Sequence, residues 1–313
     1  MEYSKSSEYV DKRDWRVYNE ELVVRGTFYL DLEWVQSWED ELFEINNGKK
    51  GRPFLFPESL IRLQAVWHQW VDYRGIEGIT RVLVKYNLLP SYADFSTINR
   101  RVNRLSFGIS LPREGEIYAA CDGTGMKMDN AGNYRQKKYG GRKKRILKVV
   151  LTADPINRKL LAVDVGIDGF GITESSSALD HLILLKESGK KVLKFWGDPG
   201  LDDLNLFNWL GKEKIKIAIK PRAFRAGNAS KSAVRKKVVD DYMDTEYKEW
   251  AKKISYGMRW VGTEGVFSAV KRKFGESVRA RKVENILKEA KSKFWVYDLL
   301  QSHGKGKCEI LAK

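Results

Sequence analysis

Three acidic residues, far apart along the chain, stand in settings suited to gripping hard metal ions. Asp122 lies in Cys121-Asp122-Gly123-Thr124-Gly125, at the end of a short apolar run. Asp198 lies in Phe195-Trp196-Gly197-Asp198-Pro199-Gly200, and Glu264 in Gly262-Thr263-Glu264-Gly265-Val266-Phe267. Carboxylate oxygens are what Mg²⁺ and Mn²⁺ prefer as ligands. A pair of such ions, about 3.5–4 Å apart, can both activate a water and stabilise the leaving oxygen of a phosphodiester. Gly123 and Gly197 leave room beside the acids for a phosphate. One Asp at the end of a strand is more often a turn or cap residue; three acids at fitting places point to chemistry. Without metal, three gathered carboxylates repel one another.

The elements that must position these acids can be read from periodicity. Apolar runs predict strands over 117–121, 146–153, 160–165, 191–197 and 214–219, the second and third joined through Asp154-Pro155-Ile156-Asn157 as a hairpin. Helices are predicted over 175–188 and 202–210, with further helical segments from 238 onward. Strand, strand, strand, helix, strand, helix, strand, helices is the order of a mixed five-stranded sheet flanked by helices, the ribonuclease-H-like α/β fold. Asp122 then follows the first strand and Asp198 ends the fourth. Glu264 borders a helical stripe of Val266, Val270 and Phe274, and Lys271, seven residues on, shares its face.

Upstream, the pattern is helical: helices are predicted over 58–73, 79–87 and 95–105, with Gly75-Ile76-Glu77-Gly78 breaking the first from the second. A short Trp-bearing helix is expected over 30–38, followed by a turn-rich linker over 46–53. The 95–105 helix carries Thr97, Asn99, Arg100, Arg101 and Arg104 outside a stripe of Ile98, Val102 and Leu105. A helix, a turn and a basic polar helix describe a helix-turn-helix-like DNA reader; a helical bundle with one solvated basic face is the plainer alternative. The expected domains are an arm and linker over 1–50, a helical DNA-binding domain over 51–112, and the catalytic domain over 113–313, with a basic insertion and helix over 222–255.

The chain of 313 residues has a formal net charge of +16, which points to an anionic partner such as nucleic acid. Basic runs occur at Arg142-Lys143-Lys144-Arg145, from Arg222 through Arg225, Lys231, Arg235 and Lys236 to Lys237, and from Arg272 through Lys273, Arg279 and Arg281 to Lys282. Such side chains fix register on phosphates without reading sequence. Two cysteines and three scattered histidines make neither a disulfide framework nor a zinc site. The polar N-terminus is no signal peptide, and no run of about 18 apolar residues could span a membrane. A cytoplasmic protein, nucleoid-associated in a prokaryotic cell, is expected.

Several segments resemble transposases of insertion-sequence family five, within the ribonuclease-H-like DDE superfamily. Residues 18–26, Gly51-Arg52-Pro53 with Phe56-Pro57-Glu58, and Asp94-Phe95-Ser96-Thr97-Ile98-Asn99-Arg100-Arg101 resemble its N-terminal half. Asp122-Gly123-Thr124-Gly125-Met126-Lys127 resembles its first catalytic motif, and residues 139–148 the basic stretch after it. The second motif reads Gly197-Asp198-Pro199-Gly200-Leu201-Asp202, with Leu201 in place of the usual Tyr and Pro199 inserted. Asp202 and Asp203 are lesser candidates there, better read as acids at a helix N-terminus. Tyr256, Arg259, Glu264 and Lys271 resemble the third motif, with the Arg-to-Glu gap one residue longer than the common form; Glu276 is the alternative third acid.

The resemblance implies an enzyme that binds the terminal inverted repeats of its own element and catalyses DNA strand cleavage and strand transfer. Asp122, Asp198 and Glu264 would ligate two Mg²⁺ or Mn²⁺ ions, supported by Tyr256, Arg259 and Lys271. Double-stranded DNA, both the repeats and the target, is the implied partner of a homo-oligomer, a dimer, with no small-molecule substrate. A catalytically decayed transposase acting as a DNA-binding regulator is the alternative.

Overall fold

The computed structural model describes residues 14–113, 115–129, 146–222 and 231–311, with side chains as far as Gly304. It forms two compact units, one of Met1–Val102 with Leu299–Lys313, the other of Asn103–Asp298.

The first unit is helical. Helix α1 spans Trp15–Thr27 and is capped by Asp14. Two 3-10 turns, Phe28–Leu30 and Glu33–Ser37, lead into α2, Trp38–Asn46, so the Trp-bearing segment expected as one helix is two tight turns and a helix start. Helix α3, Glu58–Trp67, buries Leu60, Ile61, Leu63 and Val66. Helix α4, Tyr73–Lys85, begins earlier than expected and runs through Gly75 and Gly78. The glycines do not break it because Asp72 caps it, its carboxylate accepting the Gly75 amide at 2.8 Å. Val71 packs where a Cβ on Gly75 would lie.

Helix α5, Phe95–Val102, is shorter than the expected 95–105. Beyond Val102 the Asn103 carbonyl accepts a hydrogen bond from Lys288, and Phe107 packs on Trp295 with ring centroids 5.1 Å apart. These contacts draw the chain out of the helical path.

The second unit is built on a mixed sheet in the order β3-β2-β1-β4-β5. Its strands are β1 Glu116–Met128, β2 Ile146–Asp154, β3 Lys159–Ile167, β4 Lys191–Gly197 and β5 Lys216–Ile219. Strands β1, β2 and β3 pair antiparallel, as the hairpin reading required, and β4 and β5 join parallel. A sixth strand, β6 at Ser277–Val278, pairs with Lys127 and Met128, correcting the five-strand expectation. Two residues carry no readable period, and the pairing exists only because β1 runs on to Met128 rather than stopping at Cys121.

The two sheet faces differ. Odd-numbered β1 residues Ile117, Ala119 and Cys121 join a core with Phe195, Leu201, Phe207 and Leu210, under α6 (Glu174–Glu187) and α7 (Leu204–Lys212). Even-numbered residues turn the other way. There Tyr118 and Ala120 meet Trp196, Ala218, Ile254 and Met258. As the chain continues, α8 (Ala233–Met243) packs Val234 and Val238 on the first core beside α7, α9 (Tyr247–Lys253) leads to Ile254 and Met258 on the second face, and α10 (Met258–Gly262) and α11 (Glu264–Phe274) follow there before the long α12, Val283–Leu311. Among the described residues no helix is long and apolar enough to cross a membrane.

Candidate active site

Strand register brings two of the acids together. Cys121 of β1 pairs in parallel with Gly197 of β4, so Asp122 and Asp198 are the next residues on neighbouring strands. Asp122 is not past the strand end, as expected, but within it, because β1 continues as one edge of the β1–β2 ladder. Its Oδ1 accepts the Gly123 amide at 2.8 Å. Burial is the main cause that pushes the Asp122 carboxyl up to about 6, and the charges of Asp198 and Glu174 add to it, against the pull of the Gly123 amide and of Arg259.

Asp198 leaves β4 and caps the 3-10 turn Pro199–Leu201, accepting the Gly200 amide at 2.8 Å. Pro199 sits at the first position of that turn, where its missing N–H costs nothing. Leu201 is fully buried in the core. Its side chain fills the space a Cβ on Gly197 would need, so the pair Gly197–Leu201 fixes how Asp198 leaves the strand.

Asp202, a lesser metal candidate by sequence, is otherwise engaged. Arg235 of α8 grips it in a fork, Nε to Oδ1 at 2.6 Å and Nη2 to Oδ2 at 2.7 Å, with both side chains almost fully buried. The Arg222 amide also donates to Oδ2 at 2.7 Å. Burial by itself would raise the Asp202 carboxyl, but these donors outweigh it and hold it below the usual range. Arg235 therefore leaves the basic run in which its sequence placed it. Asp203 caps α7 through the Asn205 and Leu206 amides, as read from sequence.

Tyr256 and Arg259 gather beside the pair. Arg259 lies over the Tyr256 ring at 4.9 Å and the Trp260 ring at 4.7 Å, and its charge acts on Asp122. Tyr256 is buried against Trp250, and that burial pushes its hydroxyl up to about 12; Asp198 and Asp122 add to the rise while Arg259 opposes it. Lys271 donates to Thr124 Oγ1 at 2.7 Å. Thr124 is two residues beyond Asp122 on the same strand, so α11 lies on the sheet face toward which Asp122 points.

Glu264 stands at the first position of α11 and is exposed. It is on that same face but apart from the two aspartates: among the described residues, no three His, Cys, Asp or Glu side chains converge closely enough to hold a metal ion. Between Arg259 and Glu264 the helix is interrupted at Thr263, whose hydroxyl donates to the Arg259 carbonyl at 2.8 Å. The extra residue in that spacing is taken up by this break. Glu276 pairs with Lys127 where β6 joins β1, away from α11's first turn.

One acid at the site was not singled out from sequence. Glu174, the first residue of α6, reaches between the two aspartate-bearing segments: its Oε1 occupies the place of a Cβ on Gly123 and its Oε2 the place of a Cβ on Gly200. Lys148 of β2 holds it at 3.0 Å. A Glu just inside a helix N-terminus is so common for dipole reasons that only the two glycines facing it could have signalled more.

On the first unit, Asp94 caps α5, accepting from the amides and hydroxyls of Ser96 and Thr97; those bonds hold its carboxyl well below the usual range. Asn99 and Arg100 are exposed, and Arg100 bonds Thr97 Oγ1 at 3.1 Å along the helix surface. Arg101 turns back, bonding the Phe56 carbonyl at 3.2 Å and lying 4.2 Å over the Phe54 ring. Arg104 is exposed but beyond the end of α5. Arg142, Lys143, Lys144 and Arg145 lie outside the described residues. Of the third basic run, Arg272, Lys273, Arg281 and Lys282 are exposed.

Two family models match the chain, each described as a transposase DDE domain, one over residues 23–131 and the other over 115–299. The second match contains the sheet and Asp122, Glu174, Asp198, Asp202, Asp203, Glu264 and Glu276.

Proposed function

Because the chain belongs to the family of transposases built on a DDE domain, we propose that it binds the terminal inverted repeats of its own element, hydrolyses one strand to free a 3′ hydroxyl, and joins that hydroxyl to target DNA. The observation that carries this reading is the parallel register match of Cys121 with Gly197, which brings Asp122 of β1 beside Asp198, the residue that follows β4. The motif resemblance to insertion-sequence family five narrows the element type.

The donor set fits a hard divalent cation: carboxylate oxygens, one of them on a carboxyl pushed up by its crowded, half-buried setting, and no thiolate or imidazole beside them. The neighbouring Cys121 thiol is buried and pushed up to about 12, which leaves it inert. Asp122 and Asp198, with Glu264 from the first turn of α11, would hold Mg²⁺ or Mn²⁺, two ions per site, whose chemistry is to activate water and stabilise the leaving oxygen. Arg259 places a positive charge beside Asp122, where a backbone phosphate would lie. Lys271 does the same from Thr124.

DNA reading falls to the exposed face of α5, through Asn99 and Arg100 with Thr97, while Arg104 and the exposed cations Arg272, Lys273, Arg281 and Lys282 contact phosphates. Arg142 to Arg145 follow the Asp122 strand in sequence and serve the same purpose. The enzyme works as a dimer on paired element ends, within the nucleoid.

The exposed place of Glu264, apart from the aspartates, favours a second reading in which the chain binds its repeats without cutting them. Incubation with Mg²⁺ and a duplex ending in the inverted repeat separates the two. Cleaved and joined products support the enzyme, and binding without products supports the regulator. Asp122→Ala should retain binding and lose both products; products from that variant would refute the assignment of the site.

A further inference from the structure

Helix α4 holds two glycines, and packing within the chain explains one of them. A Cβ on Gly75 would lie 2.5 Å from Val71 Cγ1, so the fold itself needs that space. Gly78 is exposed, and a Cβ there would meet nothing within 4 Å among the described residues. Its φ is not positive, so the backbone does not ask for glycine either. A glycine in an exposed helix interior costs stability relative to alanine. Where nothing inside the chain uses the space, the use lies outside it, in the close approach of a partner.

The surroundings of Gly78 indicate the chemistry of that partner. At 3.6 residues per turn, Arg74, Gly78, Arg81 and Lys85 fall within about 60° of one another, a straight stripe along α4. All four are exposed. Arg74 lies over the Phe95 ring at 4.7 Å and Arg81 over the Tyr92 ring at 5.1 Å, and both rings are exposed as well. A guanidinium held by its flat face keeps the N–H groups on its edge for an oxyanion. Arg81 also donates to Glu77, a buried acid whose other oxygen accepts the Phe95 amide at 2.8 Å. The stripe is thereby tied to the first residue of α5.

We propose that this stripe docks on the sugar-phosphate backbone of duplex DNA, with Arg74, Arg81 and Lys85 on phosphates and the bare backbone at Gly78 as the point of closest approach. Three cations over about 16 Å of helix suit a polyanion with one charge per ~1.7 Å of its axis. In helix-turn-helix docking the helix before the reader crosses the DNA backbone, and α4 stands in that place before α5. The proposal rests on the reading of DNA as the partner. It adds the contact that fixes register, which leaves Asn99 and Arg100 to meet base edges.

The test is binding of the full chain to a random-sequence DNA duplex, measured by fluorescence anisotropy over a salt series, with thermal melting beside it. Gly78→Leu should melt at or above wild type, since leucine is the better helix former. It should nevertheless bind the duplex at least about tenfold more weakly, the loss of one charge-assisted hydrogen bond to phosphate. A glycine kept for the fold alone would give the opposite pair of results. Arg74→Ala and Lys85→Ala should each lower the slope of log affinity against log salt by about one. If wild type binds and Gly78→Leu binds equally well, or both charge variants keep the wild-type slope, the stripe is a solvated face and the proposal is overturned while DNA remains the partner. If wild type itself does not bind the duplex, the DNA reading falls and this proposal with it. Should Gly78→Leu fail to fold, the two slopes decide.

Discussion

Replacing Arg235 with Leu should destabilise the sheet unit more than any other single loss of a basic side chain on α8. Arg235 and Asp202 form a two-pronged pair at 2.6 and 2.7 Å, with side chains 4 % and 2 % exposed. Removing one partner of a buried pair leaves a charge without compensation, a loss of about 3–5 kcal/mol. The Arg222 amide still donates to Asp202 Oδ2, so the lower end, about 3 kcal/mol, is expected. For a unit of this size that corresponds to a fall in melting temperature of roughly 6–12 °C. The sign with pH follows from the direction of the shift. In wild type the Asp202 carboxyl is held low, so its stabilisation is present above the ordinary Asp value of about 3.9 and is lost below it. In Arg235→Leu the same carboxyl is buried without its partner and rises, so its penalty grows as pH increases. Urea unfolding at pH 4.5 and pH 7 should therefore show a gap between wild type and variant that is larger at pH 7. Adding Asp202→Asn to Arg235→Leu removes the orphaned charge and keeps an acceptor for the Arg222 amide; it should return about 1–2 kcal/mol. A gap under about 1 kcal/mol at pH 7, or one that does not change between the two pH values, would refute the account of the pair.

Further outcomes are expected nearer the site and on the first unit. Asp122→Asn should melt higher than wild type in chelator, by the equivalent of about 1–2 kcal/mol of relieved repulsion, and Mn²⁺ should stabilise wild type but not the variant in a thermal-shift assay. Gly200→Ala pushes a methyl group onto the Asp198 and Glu174 carboxylates; strand cleavage should fall by about 10²-fold, with repeat binding unchanged in a gel-shift assay. Arg100→Ala should abolish the preference for element ends over random duplex while leaving the melting temperature unchanged. Arg101→Ala, which loses its Phe54 and Phe56 contacts, should cost about 1–2 kcal/mol in urea unfolding.

The sheet was legible because its signals are local. Val149 and Val150, Leu160 to Val163 and Phe195 to Trp196 are apolar runs bounded by turn residues, and their order limits the topology to few choices. The β4 bounds were read correctly to the residue, since Gly189 before the run and Gly197 at its end punctuate it. The reach of β1 was not legible. Asp122, Thr124 and Lys127 interrupt the apolar pattern, and only pairing with β2 keeps those residues extended. The first unit was legible as helices but not in their bounds, because the Asp72 cap outweighs two glycines in α4.

The acids show the same division. Asp122 and Asp198 are visible as motifs and as strand neighbours, so their meeting follows from topology. The tasks of Asp202 and Glu174 depend on groups far away in sequence: Arg235 sits 33 residues beyond Asp202. Both carboxylates stand within a residue or two of a helix N-terminus and look alike in sequence. They differ in compensation. Asp202 has a buried guanidinium matched to both of its oxygens, so nothing further is needed there. Glu174 has one ammonium on one oxygen, its other oxygen directed at Gly200 and the Asp198 turn. A carboxylate matched on both oxygens by a buried guanidinium is fully balanced within the fold, and charge counting around each oxygen is what separates Asp202 from Glu174, whose single ammonium sits on one oxygen only.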